Sequence, residues 1–573
     1  MRLSLLLVLL ALGGAAAAQP VPVGSCEKGR ARATLETDTV RLGLWNQGRL
    51  FYGLGESVTE WGQYLVPKSS GTYPAEIVNL WVSAVVGDSL RTTIADTYES
   101  DFWPGPLADA DAPPAACAEH DRMWTVSRAD LDRYVATGQA TTDLAEWPHD
   151  LGAPVLDGDG IPDNYDLAAG DQPDLLGDAA VWWVMNDAGN QHGYRNQPGT
   201  APIGVEVRVH AFAFEQSPFP TVPDTPLQEA TFYRYEFVNR RDVPLDSVYV
   251  SLAALGRTGA LGNDFQGTDT LSHVAYIYNA TEHEDAYSDR PAAWGMQVLR
   301  GPVGLANRRD DDRDGETDEP GERLRLTSSP PAFFLDGPRY PRSPREWVNV
   351  QQGLFPRGGA IYASGIGEYC WPGCPDCSSG CSGWEPTRYA FPADPTVGEF
   401  WSETNRTGEP TTGGGYYREV LASVGPFRIE PGATAEILYA MPFARTDDHL
   451  RSVTALRGVA RGLLAAFGDG VPSRRVDGPP APPLPVAQGV RPVRPNPGVG
   501  GQSAVLDLPE ATHVDADVLD LLGRVVAVVA GGTLQAGETD LAVPDGLPPG
   551  LYLLRVSAAQ GRPVALRFTV VAR

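Results

Sequence analysis

The chain has 573 residues, 72 acidic against 45 basic side chains, and a formal net charge of −27 at pH 7. An acidic surface of that size repels phosphate, which excludes nucleic acid as a partner. Glycine and proline are plentiful, at 63 and 51 residues, while long helical patterns are scarce, so a mainly β chain is expected: a multi-domain antiparallel β-sandwich body.

The N-terminus reads as an export signal. Met1-Arg2 gives a positive start, Leu5 to Leu12 an apolar stretch too short to anchor in a bilayer, and Ala16-Ala17-Ala18 small residues for a signal peptidase. Residues 1–18 are therefore expected to be removed, leaving a β-rich passenger body over 19–470, of one or two subdomains. No later segment is apolar for long enough to cross a membrane, so no transmembrane segment is expected in the mature chain. Cys26 and Cys117 are isolated in sequence and could pair with each other, which suits an oxidising compartment.

Gly87-Asp88-Ser89-Leu90 matches the short block of a family of serine esterases, but the partner block is missing, since His449 is preceded at the required spacing by Thr446. The same four residues make a good hairpin turn, and that is the expectation. Asp157-Gly-Asp159-Gly160-Ile-Pro-Asp163-Asn-Tyr-Asp166 places four carboxylates on one glycine-bent loop. A second acidic loop runs from Asp310 through Asp312, Asp314 and Asp318, folded at Gly315. A hard cation such as Ca2+ takes six to eight oxygens, and alternating aspartates can converge on one. Both loops resemble the calcium loops of thrombospondin type 3 and dockerin-like repeats; the competing reading is a solvated acidic turn.

Between the acidic loops and beyond them the strand signal recurs. Ile203 to Phe214 puts Val205, Val207 and Val209 on one face and Glu206, Arg208 and His210 on the other, Thr231 to Asn239 alternates after its aromatic start, and Ala275–Asn279 and Glu436–Ala440 add two more. These predict half-buried antiparallel strands. The tryptophans, Trp182-Trp183 among them, could line a sugar-binding cleft or fill a sandwich core. Cys370, Cys374, Cys377 and Cys381 crowd into one loop whose spacing admits two local disulfides, a tetrahedral Zn2+ site or an iron-sulfur cluster. Export into an oxidising compartment favours the disulfides over Zn2+. One helix stands out at about 447–467, with Leu450, Val453, Leu456, Val459, Leu463 and Phe467 at spacings of three and four, Thr446 as N-cap and Gly468 as stop. A proline-rich linker follows over 471–490.

Residues 491–573 read as a compact series of short strands fenced by Gly, Pro and Asp: Ser503–Leu508, Val514–Asp520, Arg524–Val529, Gly550–Val556 and Val564–Val571. Three signatures occur in order: Pro495-Asn496-Pro497, then Leu519-Asp520-Leu521-Leu522-Gly523-Arg524, then Leu547-Pro548-Pro549-Gly550-Leu551-Tyr552. The segment resembles the type A C-terminal sorting domain of the bacterial type IX secretion system. That resemblance implies an immunoglobulin-like sandwich, partnership with the Sec and type IX export machinery, and delivery through the periplasm to the outer cell surface or the medium. It also implies that the segment is cleaved or exchanged for an anchor after export, with surface polysaccharide as a possible attachment partner. For the body, no H-E-x-x-H, G-x-S-x-G or phosphate loop occurs. The expected role is a non-enzymatic, calcium-stabilised adhesion, envelope or ligand-binding protein, and the alternative is a secreted hydrolase acting on polysaccharide.

Overall fold

The structure is a computed structural model that describes residues 24–51, 64–96, 99–108, 117–194, 197–219, 222–259, 263–284, 286–305, 310, 321–330, 341–363, 369–370, 385–397, 402–403, 418–468, 470–471, 475, 493–508, 511–520, 524–535, 537–558 and 564–571. The chain divides into two compact units, Met1–Val476 and Asp477–Arg573.

The first unit is built on two antiparallel sheets. In the seven-stranded sheet, Arg32–Glu36, Arg41–Trp45, Arg49–Leu50, Ala75–Val86, Leu245–Gly256 and Glu419–Ile429 lie in that order, and Ser89–Ile94 pairs with Ala75–Val86. In the ten-stranded sheet the order is Asp264–Asp269, Val274–Asn279, Ala292–Arg300, Thr434–Met441, Thr231–Asn239, Val205–Ala213, Ala179–Asn186 and Trp103–Pro104, with Phe443–Arg445 also paired to Ala292–Arg300 and Trp124–Ser127 to Ala179–Asn186. Both sheets thus also pair strands far apart in the chain, Leu245–Gly256 with Glu419–Ile429 and Thr231–Asn239 with Thr434–Met441. Leu42, Leu80, Val82 and Val250 of the first sheet share one apolar core with Val205, Val207, Val209, Tyr233, Tyr235 and Ile437 of the second.

The outer faces are also covered. Beyond the ten-stranded sheet, Trp182, Phe212, Phe232 and Leu438 pack with Trp147 and with Leu463 and Phe467 of the helix His449–Phe467. Beyond the seven-stranded sheet, Trp81 and Leu421 pack with Trp347 and Val350 of the helix Pro344–Gln351. The strand Val205–Ala213 is consequently buried on both faces rather than on one, with only Arg208 partly open to solvent. Its alternation persists because the polar face pairs internally: Glu206 accepts from Arg208 Nε at 2.9 Å and from Arg240 Nη2 at 2.8 Å. Buried carboxylates need such partners.

The late helix runs from His449 to Phe467, and its N-cap is Asp448, whose carboxylate accepts from Arg451 N at 2.8 Å. Thr446, the expected cap, lies two residues further out and accepts from Asp448 N at 3.2 Å. A further helix, Arg128–Thr137, is closed by a reciprocal capping box between Ser127 and Asp130.

In the second unit Thr512–Leu519, Val525–Leu534, Gly550–Ala558 and Val564–Val570 form a four-stranded antiparallel sheet, and Ser503–Leu508 pairs with Gly537–Ala542 in a two-stranded one. The unit has a core of its own, with Leu506, Val514, Val518, Leu541, Leu554 and Phe568 buried together.

Candidate functional site

The first acidic loop is held at its base by the short strand pair of Val155–Leu156 with Gln172–Pro173. Asp157 Oδ1 accepts from the N–H groups of Asp159 and Gly160 at 3.1 and 2.7 Å, and Asp159 Oδ1 accepts from Ile161 N at 2.8 Å. Short acidic side chains that satisfy nearby backbone donors are what bend the loop. Gly158 has no room for a side chain, since a Cβ there would strike the Gly170 carbonyl.

This folding brings Asp157, Asp159 and Asp171 together, with one carboxylate oxygen of each lying within 4.8 Å of the others. Asp163 and Asp166, expected as co-ligands, are not in that group. Asp163 takes a left-handed turn with φ of 62°, and Asp166 caps the turn Leu167–Ala169 by accepting from Ala169 N at 3.0 Å. Asp171 was missed in the sequence because it lies beyond that turn, and the turn is what carries the chain back. It is buried and accepts from Gly158 N at 2.8 Å and Asp166 N at 2.6 Å. Burial pushes its carboxyl up, but the N–H groups of Asp166, Gly158 and Asp159, with the Arg475 guanidinium, hold it below the usual carboxylate range. Arg475 itself clasps the loop by donating to the carbonyls of Asp157 and Gly170 at 2.7 and 2.8 Å. The result is a cluster of three carboxylates, an all-oxygen donor set.

Of the second acidic loop, Asp310 is described and partly buried, while Asp312, Asp314 and Asp318 lie outside the described residues. The same holds for Cys374, Cys377 and Cys381; Cys370 is described only as backbone, in the short strand Tyr369–Cys370. Residues 1–18 and nearly all of 471–490 also lie outside. Cys26 and Cys117 form a disulfide.

Gly87-Asp88 is the turn of a hairpin in which Val86 faces Ser89, and Gly87 adopts a φ of 57°. The tryptophans Trp81, Trp103, Trp124, Trp147, Trp182, Trp183, Trp294 and Trp347 are buried. Among the described residues, no helix is long and apolar enough to cross a membrane.

In the C-terminal unit the signature residues close the fold. The Asn496 side chain behaves as an extra strand residue, donating to Arg567 O at 3.1 Å and accepting from Thr569 N at 2.9 Å. Asp520 accepts from Arg524 N at 3.0 Å and Arg524 Nε at 2.8 Å, tying the ends of the segment whose Leu521, Leu522 and Gly523 lie outside the described residues. Tyr552 donates from its hydroxyl to Pro548 O at 2.8 Å. A tyrosine bonded to backbone a few residues upstream is a recurrent corner of immunoglobulin-like sandwiches.

No family model matches the chain, and no curated protein matches it. Among solved structures, a polysaccharide lyase aligns with a TM-score of 0.23 at 7% identity, covering 97% of this chain and 47% of that one. The adhesin domain of Epf from Streptococcus pyogenes gives 0.12 at 9% identity over 63% of this chain and 88% of that one. The BSP domain of a biofilm associated protein gives 0.14 at 8% identity over 98% and 84%. Scores this low carry no functional argument, and the chain spans about half the length of the lyase.

Proposed function

We propose that this is a passenger of type IX secretion, delivered to the outer surface or the medium by residues 491–573, with a body that serves as a calcium-stabilised adhesion, envelope or ligand-binding scaffold rather than an enzyme. The observation that carries the reading is the conjunction of the three signature segments with a separately cored C-terminal unit, in which Asn496, Asp520 and Tyr552 each hold a turn or strand. The Cys26–Cys117 disulfide suits the oxidising side of the inner membrane. The convergence of Asp157, Asp159 and Asp171 supports Ca2+ at the first acidic loop. For the body, the burial of the described tryptophans and the turn role of the Gly87–Leu90 block favour a structural role over hydrolysis.

A fusion of residues 491–573 to a periplasmic reporter tests the delivery reading. The reporter should reach the cell surface or medium of a host with type IX machinery and stay in the periplasm of a matched strain lacking it. Retention in both strains would refute it.

A further inference from the structure

We infer that Asp264, Asn279 and Glu284 form a buried site for a hard divalent cation, Ca2+ by its chemistry, at the edge of the ten-stranded sheet. The site is distinct from the Asp157–Asp171 cluster and does not rest on its reading.

Asp264 opens the edge strand Asp264–Asp269 and faces Asn279 directly across the antiparallel pair, so the two side chains project from the same face. Both are buried, as is Glu284 in the loop that follows Asn279. The two carboxyls grip adjacent residues. Asp264 accepts from Thr258 N at 3.2 Å, while the Glu284 carboxyl lies against the next residue, Gly259, where a Cβ would collide with it. Glu284 is fixed there by the N–H groups of Ala286 and Tyr287, each at 2.7 Å.

The third oxygen is the informative one. Asn279 spends its amide hydrogens on Thr281 O at 2.7 Å and His283 O at 3.2 Å, which fixes the orientation of the carboxamide. Its Oδ1 is buried without a hydrogen-bond donor, and so is Oδ1 of the neighbouring Asn263. Orphaned buried acceptors are rare and costly, and a bound ion is one way in which proteins satisfy them. The orphaned Asn279 oxygen belongs to the residue directly opposite Asp264, so an amide acceptor joins carboxyl groups there, which is the donor chemistry that Ca2+ takes.

Arg418, whose guanidinium is paired with Glu403, faces the cluster, and the Glu403 carboxylate also accepts from Gln266 N at 2.7 Å. Burial first, and the nearby Glu284 charge as well, push the Asp264 carboxyl up to about 7 against the pull of Thr258 and Arg418. A protonated Asp264 donating to an amide oxygen is the competing solution, so the experiment must separate ion from proton.

The full-length chain, stripped of metal by chelation and dialysis at pH 8, is titrated calorimetrically with Ca2+ as wild type and as Asp264→Asn. The variant should bind one Ca2+ fewer per chain than wild type, and Asp157→Asn/Asp159→Asn in parallel should lose a different ion, making the two losses additive. A folded Asp264→Asn chain with the wild-type stoichiometry would overturn the inference, whatever happens at the acidic loop. Should that variant fail to fold, a crystal of the wild type soaked in Tb3+ decides. Anomalous density bounded by Asp264, Asn279 and Glu284 sustains the site, and its absence overturns it.

Discussion

His210 sits in the strand Val205–Ala213 with both ring nitrogens buried and without a hydrogen-bond partner, its ring beside Trp147 at 6.2 Å and Phe212 at 5.9 Å. Burial, and then the Arg234 charge, pull the imidazole down to about 3 from its usual 6.5. The unfolded chain therefore takes up this proton near pH 6.5 while the folded chain resists until about pH 3. Stability from this group is complete above pH 6.5 and is lost as pH falls through that window, at about 1.4 kcal/mol per pH unit. His210→Phe should flatten the fall of the urea midpoint between pH 6.5 and 4 relative to wild type; parallel curves would contradict the assignment. Sequence placed His210 on the polar face of its strand correctly, yet that face is interior. Nothing local to a strand says whether its second face meets water or a covering layer, and here Trp147 supplies that layer from about sixty residues upstream. Asp171 was missed for a similar reason, because turn geometry at Asp166 and Gly170 decides which aspartates meet.

The helix His449–Phe467 depends on which of two adjacent aspartates caps it. Asp448 satisfies Arg451 N, whereas Asp447 makes only an exposed i,i+4 pair with Arg451 at 3.2 Å. Asp448→Ala should cost about 1 kcal/mol by loss of the cap, and Asp447→Ala should stay within about 0.5 kcal/mol, as exposed pairs generally do. Chemical denaturation of the two variants checks this, and equal effects would show that the cap is misassigned. The body of this helix was legible because its apolar residues recur over nineteen positions. The helices Arg128–Thr137 and Pro344–Gln351 were not read, although Ser127 with Asp130 and Ser343 with Pro344 and Glu346 are start signals. They are too short for periodicity to declare itself, and what sustains them is tertiary: Trp347 packs edge-on against Trp81 with ring centres 4.6 Å apart. The strand Gly537–Ala542 escaped notice because its sequence, GETDLA, is mostly polar; its pairing partner Ser503–Leu508 defines it.

At the scale of the whole molecule, the β class and all but one of the described strands of the C-terminal unit were written in short, branched, turn-fenced runs, while the topology of the body was not. Ala75–Val86, Leu245–Gly256 and Glu419–Ile429 lie side by side across more than three hundred residues of chain, a pairing set by the complementarity of two faces and by no local signal. The body folds as one compact unit around that sandwich, and the C-terminal unit has its own core. Such independence is what a detachable delivery signal requires, and it locates the central claim in residues 491–573. The direct measurement is the fate of a chain lacking 490–573, expressed in a host with type IX machinery and followed by fractionation. The truncated protein should accumulate folded in the periplasm and be lost from the surface and medium; release at the level of the full-length chain would contradict the account.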